Sequence, residues 1–176
     1  MERAEHLARL AGFTCAVPVN MDALVVREEV RDMCAADRCQ SFGKNWACPP
    51  SCGTTQLCRG RLAGFHCGIL VQTTGKLQDE FDWQGIGAAY TKHKKSFDTL
   101  ARQLRMLYPG CLPLTAGACT ICRKCTCPDR PCRFPDRRYS SMEAYGLLVS
   151  DVCVKSGAQY NYGPGTITYT SCVLFD

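Results

Sequence analysis

The chain has 176 residues, 46% of them hydrophobic and 21% charged, with a formal charge of +5, so it is long enough to bury an ordinary core. Its 15 cysteines approach the density of a short secreted disulfide scaffold, but the count is odd and the opening MERAEHLARLAGF lacks a signal peptide's apolar run. No stretch approaches the roughly 20 apolar residues of a membrane span. Free thiols in a reducing cytoplasm are therefore expected, and the absence of repeats, low-complexity tracts and long charge blocks points to one domain over residues 1–176.

In chain order, a first amphipathic helix is predicted over residues 2–11, ended by Gly12, and FTCAVPV then reads as a short strand. Residues 22–33 read as a second helix, with Leu24, Val25, Val30 and Met33 apolar, that delivers the chain to Cys34. HCGILVQT (66–73) is strand-like. A long helix follows from Trp83 to Tyr108, its stripe of Ile86, Ala89, Tyr90, His93, Phe97, Leu100, Leu104 and Leu107 keeping the 3.6-residue period. His93 falls on that stripe and reads as a packed core residue rather than a ligand. The run Lys92–Lys95 on the same helix reads as a solvated face.

CLPLTAG (111–117) is a strand leading into a cysteine-rich loop. Beyond that loop, Ser140 and Glu143 form a capping box that opens a helix closed by Gly157. After the turn at 160–165, TITYTSCVLF alternates as a half-buried strand with Ile167, Tyr169, Val173 and Phe175 on one face. The expected fold class is α/β, with a small mixed sheet of about four strands, helices and two cysteine-rich cluster-binding loops; a two-layer α+β arrangement is the alternative.

The segment ACTICRKCTCPDRPCRFP holds Cys119, Cys122, Cys125, Cys127 and Cys132 within 14 residues. Thiolates at i, i+3 and i+6 present three sulfurs from one tight loop, the pattern of a bacterial ferredoxin run apart from the fourth ligand. Structural zinc sites instead pair two separated knuckles into a tetrahedron, so an iron–sulfur cluster is expected ahead of zinc. A second, looser constellation is Cys34, Cys39 and Cys48 in CAADRCQSFGKNWACPP, with Cys52 and Cys58 just downstream. Gly43 permits a sharp turn there, and Pro49-Pro50 is expected to hold the chain after Cys48 extended. Trp46 reads either as a shield for a cluster or as an anchor of the loop.

Together, CAADRCQSFGKNWACPP, GACTICRKCTCPDRPCRFP, SSMEAYGLLVSDV and YNYGPGTITYTSCVLF resemble a cysteine-rich family of predicted metal-binding proteins, domain of unknown function 2284. The resemblance covers nearly the whole chain. It implies Cys34, Cys39 and Cys48 as one ligand set and Cys119, Cys122, Cys125 and Cys132 as another, with no established reaction. Beside that pattern Cys127 and Cys52 look like additions, which leaves Cys52, Cys58, Cys127 and Cys172 as possible further ligands. Cys172 lies on the last strand, on the side of Thr168 and Thr170, where it could approach a cluster or a substrate; Cys15, Cys67, Cys111 and Cys153 read as small buried hydrophobes.

Two [4Fe-4S] clusters are the expected cofactors. Each would add about −2 and bring the chain near about +1, so the basic balance reads as compensation for the cofactor and not as a nucleic-acid footprint. Two functions follow. One is an electron-transfer module, its second cluster tuned by the dipole of the helix after Ser140. The other is an enzyme whose three-cysteine cluster leaves an iron open as a Lewis acid for an oxygen or sulfur substrate. A zinc-binding interaction module stands third. The expected partner is a redox protein or a small-molecule substrate, with no nucleic acid and no membrane; no dinucleotide or P-loop motif is present.

Overall fold

In the computed structural model, which describes residues 1–176, alternation of apolar side chains along two long strands sets the layering. The strands are β1 (Cys15–Pro18), β2 (Cys67–Lys76), β3 (Leu112–Leu114) and β4 (Thr166–Phe175), ordered β1-β2-β4-β3. Every ladder is antiparallel. Central β2 and β4 pair along their whole length, with Ile69 opposite Val173 and Leu70 opposite Cys172. Side chains two apart share a face. Ile69, Val71, Val173 and Phe175 therefore face one way, against Ala4 and Ala8 of α1 (Glu2–Leu10) and Phe97, Leu100 and Leu104 of the long helix Trp83–Leu107.

The opposite face buries Leu70, Cys172 and Leu174 with Leu114, Met142, Tyr145 and Leu147. Because both faces are covered, Thr170–Phe175 is buried throughout. The half-buried strand expected there holds only for its first half. Helices α2 (Glu28–Ala35), α3 (Thr55–Leu62), α4 (Trp83–Leu107) and α5 (Val149–Lys155) complete the set. The α4 stripe is as expected, with Ala89, His93, Phe97, Leu100, Ala101 and Leu104 buried. His93 is wholly buried and bonded to two hydroxyls, Nδ1 to Thr73 Oγ1 at 3.0 Å and Nε2 to Ser171 Oγ at 2.7 Å, so it belongs to the core.

Three local expectations are corrected. The helix read over 22–33 is a 3₁₀ turn, Met21–Ala23, followed by α2, because Val26 leaves the helix to pair with Leu147. The helix read from Ser140 to Gly157 is a 3₁₀ turn, Glu143–Tyr145, then Gly146 at φ 78°, then α5. The turn's N-cap is Met142, with no side-chain cap, and the serine that accepts from Ala144 N, at 3.0 Å, is Ser141. A side chain at Gly146 would meet the Arg27 carbonyl at 2.9 Å, and the Gly146 carbonyl accepts from Arg27 N at 2.8 Å, so tertiary pairing interrupts the helix there. Gly157, at φ 78°, follows α5 as expected. Helix α3 went unread because its eight residues offer little apolar period; Thr54 starts it by accepting from Leu57 N at 3.2 Å.

Candidate metal centre

The second cysteine loop is an excursion from the sheet with its neck tied shut. Thr115 N donates to Ser140 O at 2.9 Å and Met142 N to Thr115 O at 3.2 Å, so the chain leaves at residue 116 and returns beside its exit. Within the excursion the only helical turn is Pro135–Arg137. The bends carry Cys119, Cys122, Cys125 and Cys132 to the wall of a cavity of about 670 Å³, with Trp46, Tyr90 and Phe134 among its other lining residues. Cys127 is not on that wall. It is buried against the other loop, 3.2 Å from Ser51 Oγ and donating to Gly43 O at 3.7 Å.

The first loop starts from Cys34 near the end of α2 and bends sharply, with Asp37, Gln40 and Gly43 all at positive φ. Asp37 holds the bend by accepting from Phe42 N at 2.8 Å and from Lys44 Nζ at 3.0 Å. The chain after Cys48 turns instead of running extended: Cys52 N donates to Cys48 O and Gly53 N to Pro50 O, each at 3.0 Å. Cys34, Cys39 and Cys48 all line a second cavity, of about 280 Å³, whose wall includes Glu143 and Ala144. Cys39, Gly117 and Ala118 line both cavities, so the two thiol sets are neighbours across one thin partition.

Several struts join the loops. Asn45 Nδ2 donates to Cys119 O at 2.9 Å while its Oδ1 accepts from Ala47 N at 3.0 Å, and Trp46 Nε1 donates to Arg130 O at 3.0 Å. Trp46 thus anchors the loops and also walls the larger cavity. Lys94 reaches from α4 to donate to Ala116 O and Ala118 O, both at 3.0 Å, and to Thr115 Oγ1 at 3.3 Å. This corrects the solvated reading at Lys94 alone; Lys92 and Lys95 are exposed as expected. Burial pulls Lys94 down to about 8, with Cys119 and Cys48 acting in the opposite direction.

Cys52 and Cys58 line neither thiol cavity. Both are buried beside Arg31, whose Nη1 lies 3.8 Å and 3.7 Å from their sulfurs and donates to Ala144 O at 2.6 Å, while Nη2 donates to Gly53 O at 2.8 Å. Cys172 is fully buried among the apolar residues around Leu70 and Leu174, and burial pushes its thiol up to about 12. It lines neither thiol cavity, so its expected approach to a cluster is corrected: α3 and α5 help to cover that face. The helix dipole expected after Ser140 is absent as well, since a three-residue 3₁₀ turn stands there.

The profile of the predicted metal-binding protein family, domain of unknown function 2284, matches residues 17–175. The chain belongs to this family. No curated protein and no solved structure matches it. The match takes in both cysteine loops and the whole four-stranded sheet apart from the first two residues of β1.

The donor chemistry of this family member can be weighed against a metal. A mononuclear tetrahedral thiolate site needs sulfurs within about 4 Å of one another. No three Cys, His, Asp or Glu groups here converge on the position of a single ion. The thiols are instead spread along the walls of the two cavities. Burial raises Cys34 and Cys119, and pushes Cys48 up to about 12, so each must lose a proton as metal binds. Among the residues that sequence reasoning did not assign to the site, Glu143 stands out: Oε2 is buried without a hydrogen-bond partner, and the residue lines the smaller thiol cavity. Its only sequence signal, the spacing from Ser140, pointed to a cap. No helix is long and apolar enough to cross a membrane.

Proposed function

We propose that the chain is a two-centre iron–sulfur protein of a reducing cytoplasm that relays single electrons to a redox partner. Cys34, Cys39 and Cys48 would hold one [4Fe-4S] cluster and Cys119, Cys122, Cys125 and Cys132 the other. The observation that carries the reading is the shared partition of Cys39, Gly117 and Ala118 between two thiol-lined cavities. Clusters on either side would be neighbours, as a relay requires. When bound, such clusters supply one-electron redox chemistry, tuned by burial and by hydrogen bonds near sulfur. The chain's own part is to hold the loops through Asn45, Trp46 and Lys94 and to limit water at the thiols.

Anaerobic purification followed by iron, zinc and sulfide analysis tests this. About eight irons and about eight sulfides per chain are expected for two cubanes. Cys48→Ser and Cys122→Ser should each remove about half the iron, one cluster at a time. Stoichiometric zinc without acid-labile sulfide overturns the reading.

A second reading rests on Glu143. The smaller thiol cavity offers three cysteines, and this carboxylate is its only acidic lining residue. Oxygen ligation at one iron would leave a position where a substrate oxygen or sulfur could exchange and be polarised. Glu143→Gln that keeps its iron but loses a ligand-induced change in the EPR spectrum of the reduced protein favours this enzyme reading over electron relay.

A further inference from the structure

A third hollow has a different chemistry from the two thiol cavities. It encloses about 270 Å³ between α3, the end of α4, β3 and the chain from Arg138 to Tyr145. Arg61, Arg105, Arg138, Tyr139, Ser140 and Tyr145 supply much of its polar wall, and no aspartate or glutamate lines it. Three guanidiniums around one hollow repel each other unless an anion lies between them. Arg138 enters none of the salt bridges in the fold.

One hydroxyl is placed to donate. Arg61 Nη1 donates to Tyr145 Oη at 3.1 Å, which leaves the hydroxyl proton of Tyr145 for another acceptor. Arg105 donates to the Asp136 carbonyl and lies 5.4 Å from the centre of the Tyr139 ring. Tyr139 is only 8% exposed, yet its hydroxyl has no hydrogen-bond partner. That oxygen is closed off from solvent-sized molecules and the ring packs edge-on against Phe97, so Tyr139 closes the floor of the hollow and is not one of its donors. The carboxylate acting on Tyr139, Asp98, is itself engaged by Arg102 at 3.3 Å and Arg137 at 3.6 Å.

We propose that this hollow is an oxyanion site that takes a phosphate group, either inorganic phosphate or the phosphate of a small monoester. Three fixed positive charges suit a dianion better than a monocarboxylate, and guanidinium forks match phosphate oxygens two at a time. The volume lies just below the range of about 300–1,000 Å³ that holds drug-sized ligands, so a few carbons beyond the phosphate are accommodated and a nucleotide is not. Arg138 also lines the larger thiol cavity, so the phosphate site and the second cysteine loop share one residue. The proposal does not depend on which metal the thiols hold.

Anaerobic isothermal titration of the full, metal-loaded chain at fixed ionic strength tests it, with inorganic phosphate, glycerol 3-phosphate and acetate as probes. Saturable one-to-one binding of a phosphate is expected, weakened about tenfold by Arg138→Gln and severalfold by Arg61→Gln. Tighter binding of glycerol 3-phosphate identifies a monoester as the ligand, and tighter binding of inorganic phosphate identifies the free ion. Thermal melts check that each variant folds; if Arg138→Gln does not, Arg61→Gln decides, since that side chain is exposed in the last turn of α3. Absence of saturable binding for both phosphates, acetate binding as tight as phosphate, or unchanged affinity in folded Arg138→Gln or Arg61→Gln overturns the proposal.

Discussion

His93 shows how one side chain couples the core to pH. Burial, with Lys94 adding to it, lowers its pKa to about 3, far below the value near 6.5 of an unfolded chain. The unfolded state therefore binds the extra proton first as pH falls. The stability held by the neutral ring is fully present above about pH 6.5 and is lost on descending towards pH 3, by about 3 kcal/mol at pH 4.5. His93→Gln keeps a neutral group near Thr73 and Ser171, so its urea midpoint should fall less between pH 6.5 and 4.5 than that of the parent. At the same scale, Cys52 is buried beside Arg31 and not on a thiol cavity wall. Cys52→Ser should therefore leave iron content unchanged, as measured by colorimetric iron assay.

Among the elements, the break between the Glu143–Tyr145 turn and α5 has the most consequence. Gly146 at φ 78° aims the carbonyls of Glu143 and Ala144 at Cys34 and Arg31, at 3.9 Å and 2.6 Å. Alanine is strained at that φ, and its Cβ would press on the Arg27 carbonyl. Gly146→Ala should cost about 2 kcal/mol in chemical denaturation and lower the iron bound by the first thiol set. The cross-loop struts work at the same level. Asn45 spans both loops, so Asn45→Ala should lower iron in both sets, whereas a ligand cysteine change affects one; iron counted per chain for the two kinds of variant checks the difference.

For the molecule as a whole, order is unevenly supported. The sheet is packed on both faces by buried apolar clusters, while the excursion 116–140 has one short helical turn and hangs from its neck at Thr115 and Ser141. Metal bonds supply order where side-chain burial does not. Anaerobic chelation should therefore leave the far-UV circular dichroism of sheet and helices nearly intact and open the excursion to trypsin at Arg123, Lys124 or Arg133, with fragments mapped by mass spectrometry. Loss of the whole circular dichroism signal on chelation would instead make the metal part of the global fold.

Periodicity and local chemistry determined much by themselves. The stripe of α4 and the alternation of β4 specified those elements within one residue at each end, since long amphipathic patterns leave little freedom. The spacing from Cys119 to Cys132 marked the compact loop, because thiols so close in sequence must lie close in space. Tertiary structure alone decided where Lys94, Arg31 and Glu143 act, for each meets its partners across more than 20 residues of chain. It decided the interrupted helix after Ser140, where pairing of Arg27 with Gly146 outweighed a favourable local cap. It also decided the burial of Cys172, because a strand's own alternation does not reveal whether its second face is covered. The adjacency of the two cysteine sets depends on a sheet bringing residues 39 and 118 to one wall, and that follows from packing, not from any local pattern.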